Sequence, residues 1–163
     1  MTISNHARMG LLLAAAILLL DQITKHLVLG YFLDNESAIR VTEVLPFFNL
    51  VLVWNRGVSF GLFNDDTFDG PHALIALAAV LVALVARWLW QTQDRREALA
   101  FGLIIGGAVG NVIDRVRFGA VVDFLDFHAF GYHWPAFNVA DSAIVVGAGV
   151  ILFLWAWGAT TKE

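Results

Sequence analysis

Asn111, Asp114, Arg115 and Asp123 fall within thirteen positions of the stretch GGAVGNVIDRVRFGAVVDF, residues 106–124. Groups of this kind at the end of an apolar run are costly at bilayer depth, and the default reading of them is a functional site. Asp123 lies in AVVDFLDF, an apolar setting that raises the pKa of a carboxyl and keeps it partly neutral. Asp126, three residues on, reads as a solvated loop acid. Asp21 and Lys25 are spaced i, i+4, so they either pair with each other, which lowers the cost of both, or serve a site directly. Asp114 beside Arg115 reads as a structural ion pair. Asn138 and Asp141 form N-x-x-D at a helix start, where a capping asparagine and an acid favoured by the helix dipole explain the pair without chemistry. His128 and His133 lack a metal-ligand pattern, and H-E-x-x-H is absent, which argues against a zinc protease.

These groups sit in an unusually apolar chain. Of 163 residues, 59% are hydrophobic and 15% charged, with a mean hydropathy of +0.72, whereas soluble domains run at about 45–50% apolar and roughly a quarter charged. The composition is that of a membrane protein. A net charge of −4 and a pI near 5.6 speak against nucleic acid as a partner. With no cysteine, disulfides, thiol nucleophiles and cysteine metal ligands are excluded. No repeat or long linker divides residues 1–163, which read as a single domain.

A membrane span needs about 20 largely apolar residues, and residues 9–29, 72–90, 97–113 and 139–157 qualify. The first reads as a retained signal anchor, because DQITKH follows where a cleavage region would need small residues. Between spans one and two, RVTEVLPFFNLVLVWNRG is rich in Val, Phe and Leu and predicts short β-strands. Phe47, Phe48, Trp54, Phe60 and Phe63 would hold this loop in the interface, as would the aromatic residues of a second loop, 115–138. The fold class expected is therefore an α-helical integral membrane protein, four transmembrane helices with a small β-rich extracytoplasmic loop region. Basic residues divide five and five between the two sides. Discounting Lys25, Arg56 and Arg115, which sit in polar motifs, favours cytoplasmic termini. Trp88, Trp90, Trp155 and Trp157 would then form a cytoplasmic aromatic belt.

Four alternating spans bring Asp21, Lys25, Asn55, Asn111, Asp114, Arg115, Asp123, Asn138 and Asp141 to one face of the bundle. On span three, Gly107, Gly110, Asn111 and Asp114 make one helical stripe, and Gly102, Gly106 and Gly110 repeat every four residues. Helix packing accounts for the glycines but not for an Asn and an Asp on their stripe. GVSFG (57–61) spells the nucleophile-elbow string around Ser59, but that motif acts only on the sheet of an α/β-hydrolase, for which this chain has no room. A membrane serine hydrolase using Ser59 stands as an alternative. So does an ion or proton carrier, although its polar path would have to continue through inner helix halves that are almost uniformly apolar.

Five strings taken together, DQITK (21–25), WNRGVSFG (54–61), GGAVGNVIDR (106–115), VVDF (121–124) and FNVADS (137–142), resemble the motifs of the lipoprotein signal peptidases, or signal peptidase II, in family order. The resemblance implies an aspartic endopeptidase of the bacterial inner membrane with cytoplasmic termini and an extracytoplasmic site. It implies cleavage of prolipoproteins on the N-terminal side of a diacylglyceryl-modified cysteine, without metal or organic cofactor. The catalytic acids it implies are Asp123 and Asp141, with Asp21, Asn55, Gly107, Asn111, Arg115 and Asn138 supporting or lining the site. Arg56 stands where many members carry a small polar residue. The partners implied are prolipoprotein substrates, membrane lipid and globomycin-type cyclic peptide inhibitors, and a monomer is expected.

Overall fold

In lipid, a chain must satisfy its backbone groups internally, which an apolar run can do only as a helix. The computed structural model describes residues 4–33, 40–57 and 70–160. Its four long helices are α1 (Asn5–Leu33), α2 (Gly70–Gln91), α3 (Arg95–Phe118) and α4 (Val139–Thr160), all long and apolar enough to cross a membrane. The strands β1 (Val41–Leu45) and β2 (Phe48–Asn55) lie between α1 and α2, and β3 (Val121–Ala129) and β4 (Tyr132–His133) between α3 and α4. They form one antiparallel sheet in the order β1-β2-β3-β4.

α3 is the central helix and packs against all three others. Small residues permit this on two of its faces. A Cβ at Gly102 would lie 2.4 Å from the Gly10 carbonyl oxygen, and one at Gly106 would lie 2.5 Å from that of Ala14, both on α1. On another face, a Cβ at Gly107 would lie 2.4 Å from the Ala140 oxygen of α4. Backbone contact this close gives van der Waals packing that larger side chains forbid, the usual basis of helix association in lipid. Around it Ala7, Ala14, Leu89, Ala98, Phe101, Ile105 and Ile151 form the buried core. Leu12, Leu19, Val80, Val145 and Phe153 point outward, as an apolar solvent allows.

The apolar windows mark only part of each helix. α3 runs past Ile113 to Phe118 and closes on Gly119, whose φ of 68° suits glycine and whose N–H donates to the Arg115 carbonyl at 3.0 Å. Arg115 therefore belongs to the last turn of α3 rather than to a loop. The segment after it is not a loop either, since Asp123 stands on β3 opposite Val53. Between the pairs Leu50–Leu125 and Val53–Asp123 the register shifts, with two β2 residues facing one of β3. Such a bulge re-aims side chains beyond it, and Asn55 lies diagonally across from Asp123 on the same face. The inner face of the sheet rests on the end of α1 through Val28, Phe32, Leu52, Val122 and Phe124.

Gly102→Ala is expected to destabilise the bundle by about 1–3 kcal/mol, because its Cβ meets backbone that cannot turn aside. Gly149→Ala, where a Cβ finds nothing within 4 Å, is expected to be neutral or slightly stabilising. Thermal unfolding of the two variants in the same detergent compares them directly.

Candidate active site

The site begins with three charges that water does not reach. Asp21, Lys25 and Asp114 are 0%, 2% and 1% exposed. The Lys25 ammonium donates to Asp21 Oδ2 at 2.9 Å, to Asp114 Oδ2 at 2.8 Å and to Asn111 Oδ1 at 3.0 Å. An ammonium has three protons and no acceptor, so this set of acceptors satisfies it in full. The carboxylates reach further. Asp21 Oδ1 accepts the Ala140 N–H at 3.0 Å in the first turn of α4, where an anion is favoured. Asp114 Oδ2 accepts the Val122 N–H at 3.1 Å and so fixes β3 to the end of α3. Gln22 Nε2 lies within 3.1 Å of Asp114 Oδ1 and 3.2 Å of Asp21 Oδ2.

Three asparagines carry this order to two further carboxylates. Asn111 Nδ2 donates to Asp141 Oδ1 at 2.7 Å. Asn138 Nδ2 donates to Asp123 Oδ1 at 2.7 Å, and Asn55 Nδ2 donates to Asp123 Oδ2 at 2.8 Å. Asn138 is also the N-cap of α4: its Oδ1 accepts the Asp141 N–H at 2.9 Å, while Asp141 Oδ2 accepts the Asn138 N–H at 3.2 Å. This reciprocal pair has the form of a capping box. The cap expected from N-x-x-D is present, and its asparagine also reaches Asp123, which capping alone does not require.

Asp123 is 1% exposed. Burial is the main force on its carboxyl and pushes the pKa up to about 6; the charge of Asp141 adds to the rise, against the hydrogen bonds from Asn55 and Asn138. Arg115 is half-buried beside the pair, and its Nη1 reaches the Asn111 carbonyl only at 3.5 Å. Its buried Nε has no hydrogen-bond partner among the described residues. Gly57, at φ 78°, donates its N–H to Asn55 Oδ1 at 2.8 Å, which pins the turn after β2.

Asp21, Asn55, Asn111, Asp123, Asn138 and Asp141 thus share one network with Lys25 and Asp114, and Arg115 flanks it. Gly107 serves the site through packing, since its missing Cβ lets Ala140 and the start of α4 approach α3. Asp114 is not paired with its neighbour Arg115 but with Lys25. Asp126 is a correction. It is 7% exposed on β3, bonded by Asn49 Nδ2 and by His133 Nδ1, each at 2.9 Å, and is not a solvated loop acid. Burial would raise its pKa, but the His133 and Asn49 hydrogen bonds outweigh it and leave the carboxyl below its ordinary value. Ser59, Phe60 and Phe63 lie outside the described residues. Among the described residues no three His, Asp or Glu side chains converge as metal ligands. Sequence reasoning misses Gln22, although it adjoins Asp21 in DQITK. The backbone donors of Val122 and Ala140 leave no mark in a sequence.

Two carboxyl groups held by a shared asparagine, one of them titrating near neutrality, can act as a general acid and a general base. Comparison with known proteins bears on the family of the chain. Residues 13–157 match the family model described as Signal peptidase (SPase) II. A lipoprotein signal peptidase of Methylobacterium sp. (strain 4-46) is 47% identical over 150 residues, covering 91% of this chain and 89% of the relative. One from Azoarcus sp. (strain BH72) is 48% identical over 147 residues, covering 90% and 80%. A solved structure described as a bacterial membrane enzyme at 2.3 Å resolution superposes with a TM-score of 0.77 at 28% identity, covering 94% of this chain and 91% of that one.

The Asp123 carboxyl should leave a mark on stability. Its folded pKa of about 6 lies above the ordinary aspartate value of 3.8, so between these values the folded state binds more protons than the unfolded state and stability falls as pH rises. Relative to Asp123→Asn, the wild type is expected to lose up to roughly 3 kcal/mol between about pH 4 and pH 7. Unfolding in detergent across that range, compared for the two proteins, measures the difference in slope.

Proposed function

The chain belongs to the signal peptidase II family, and from that premise we propose that it is an aspartic endopeptidase of the bacterial inner membrane. It removes signal peptides from prolipoproteins by cutting on the N-terminal side of the diacylglyceryl-modified cysteine. Asp123 and Asp141 are the catalytic acids, and residues 1–163 act as one peptidase domain. The observation that carries this reading is Asn138, which bonds to both Asp123 and Asp141.

Asp123, with its pKa near 6, holds the proton that two neighbouring carboxyl groups share. Asp141 takes a proton from water as the water oxygen adds to the scissile carbonyl carbon. The Asp123 proton then passes to the amide nitrogen as the C–N bond breaks, which releases the signal peptide's new carboxyl end and the lipidated amine. Arg115, whose Nε lacks a partner among the described residues, is suited to hold a substrate carbonyl, and Asn111 and Asn138 keep the acids aimed. Phe47, Phe130, Tyr132 and Trp134 are exposed around the sheet and suit an interfacial cradle for a lipid-anchored chain. The termini lie in the cytoplasm and the site faces the other side, and the working enzyme is a monomer. Globomycin-type cyclic peptides would compete at the same site.

Asp123→Asn and Asp141→Asn should each lower kcat by about a thousandfold or more, with the double variant scarcely worse, because groups that act as a unit are not additive. Asp126→Asn, whose partners are Asn49 and His133, should retain turnover. Near wild-type cleavage by either single dyad variant would overturn the aspartic mechanism. Purified enzyme in detergent should also cleave lipidated precursor in strong preference to the unlipidated one, and equal turnover of the two would remove the lipid from the proposed substrate.

A further inference from the structure

An amide side chain has two ends that differ in chemistry but hardly in shape, so what faces each end decides which way it points. At Asn111 one end faces a carboxylate oxygen of Asp141 at 2.7 Å and the other faces Lys25 Nζ at 3.0 Å. With the amide turned over, its NH2 would meet an ammonium and its oxygen would meet a carboxylate, two repulsions in place of two bonds. The other group on Asn111 Oδ1 is Asn138 Nδ2, at 3.3 Å. That nitrogen is already committed to Asp123 at 2.7 Å and also lies 3.3 Å from the Val122 carbonyl. The ammonium is the stronger hold, because it carries full charge and is donor-only.

We propose that Lys25 is a positioning residue for the peptidase reaction, acting through Asn111, whose N–H it keeps turned toward Asp141. The proposal rests on the aspartic reading above. Lys25 is directed at Asn111 from a fixed place, since Asp21 and Asp114 hold its other two protons. It touches neither Asp123 nor Asp141 through a hydrogen bond among the described residues. Its hydrogen-bonded route to Asp141 runs through the asparagine. Dependence on Asn111 separates that role from the pull of its charge on Asp123 through space and from the hold its carboxylate partners have on α4 and β3.

The test is a double-mutant cycle on purified enzyme with lipidated precursor, read as kcat and KM in single and multiple turnover. Lys25→Met should lower kcat about thirtyfold to a hundredfold with KM changed less than about threefold, since substrate contacts are untouched. In an Asn111→Ala background the same substitution should cost less than about threefold more, because no amide remains to orient. Lys25→Met leaves two buried carboxylates without their cation, so the cycle is repeated with Lys25→Met/Asp114→Asn against Asp114→Asn. The double variant keeps the net formal charge of the Asp21, Lys25 and Asp114 cluster, and the amide oxygen introduced at position 114 can still accept the Val122 N–H. Thermal unfolding of every variant identifies those that are folded, and kinetic comparison is made among these. A kcat loss of equal size with and without Asn111, or no loss in either Lys25 variant, would overturn the positioning role while leaving the dyad intact. Active Asp141→Asn, run alongside, would overturn the dyad and the proposal together.

Discussion

The ammonium of Lys25, shared among Asp21, Asp114 and Asn111, is the interaction on which the catalytic end of the molecule depends. A charge taken out of water is tolerable only if its partners replace the lost solvation almost completely. Each partner here is committed to a different element. Asp21 is on α1 and accepts a backbone N–H from α4, Asp114 is on α3 and accepts one from β3, and Asn111 leads to Asp141. One buried cation thereby sets the mutual placement of three helices and a strand. Loss of Lys25 would leave two buried carboxylates without their cation in a low-dielectric interior, so the cluster depends on that one ammonium.

The three asparagines share a logic that their positions alone do not reveal. Each has its oxygen held by a group that can only donate: the Gly57 N–H for Asn55, the Lys25 ammonium for Asn111 and the Asp141 N–H for Asn138. Each then has its NH2 free for a carboxylate, Asp123 for Asn55 and Asn138, and Asp141 for Asn111. The direction of every amide is thus imposed from behind, by donors on the side away from the carboxylate it serves. Preorganisation of this kind lets donors stand ready before substrate arrives, without reorientation during the reaction.

Much of this is legible in the sequence because lipid restricts the alternatives. The four apolar runs have to be helices, and counting them places the ends carrying Asp21, Asn111 and Asp141 together. The stripe of Gly107, Gly110, Asn111 and Asp114 is visible because a helix repeats its faces. β3 is harder to see. In VVDFLDF both faces of the strand are mostly apolar, so the alternation that reveals a half-buried strand is muted. Its β-branched start and the bounding Gly119 and Gly131 are the available cues. Without the strand Asp126 reads as solvated, whereas its partners Asn49 and His133 come from strands on either side. The pairing of Asp114 with Lys25 instead of Arg115 is beyond local sequence, because adjacent residues on a helix point in different directions.

Asp123 shows what this scaffold is built to sustain. A hydrogen bond to a charged group contributes about 1.5–3 kcal/mol, and Asp123 receives two from amides while its pKa still stands at about 6. Burial and the nearby Asp141 therefore outweigh both donors. A fold selected for stability alone would solvate that carboxyl or replace it with the amide that its neighbours already suggest. Holding it in place takes a sheet closed against α1, a helix start capped by Asn138, and an α3 that glycines allow to approach both α1 and α4. Strained or destabilised groups persist only where their surroundings over-determine them. The tight glycine contacts and the Lys25 cluster supply that excess of constraint, since they lock α1 to α3 and tie both to α4 and β3, the elements that carry the two acids. α2 packs on the opposite part of the core, through Val85 and Leu89. The division is mechanical: α1, α3, α4 and β3 hold the acids to their geometry, and the bundle spends its closest packing there.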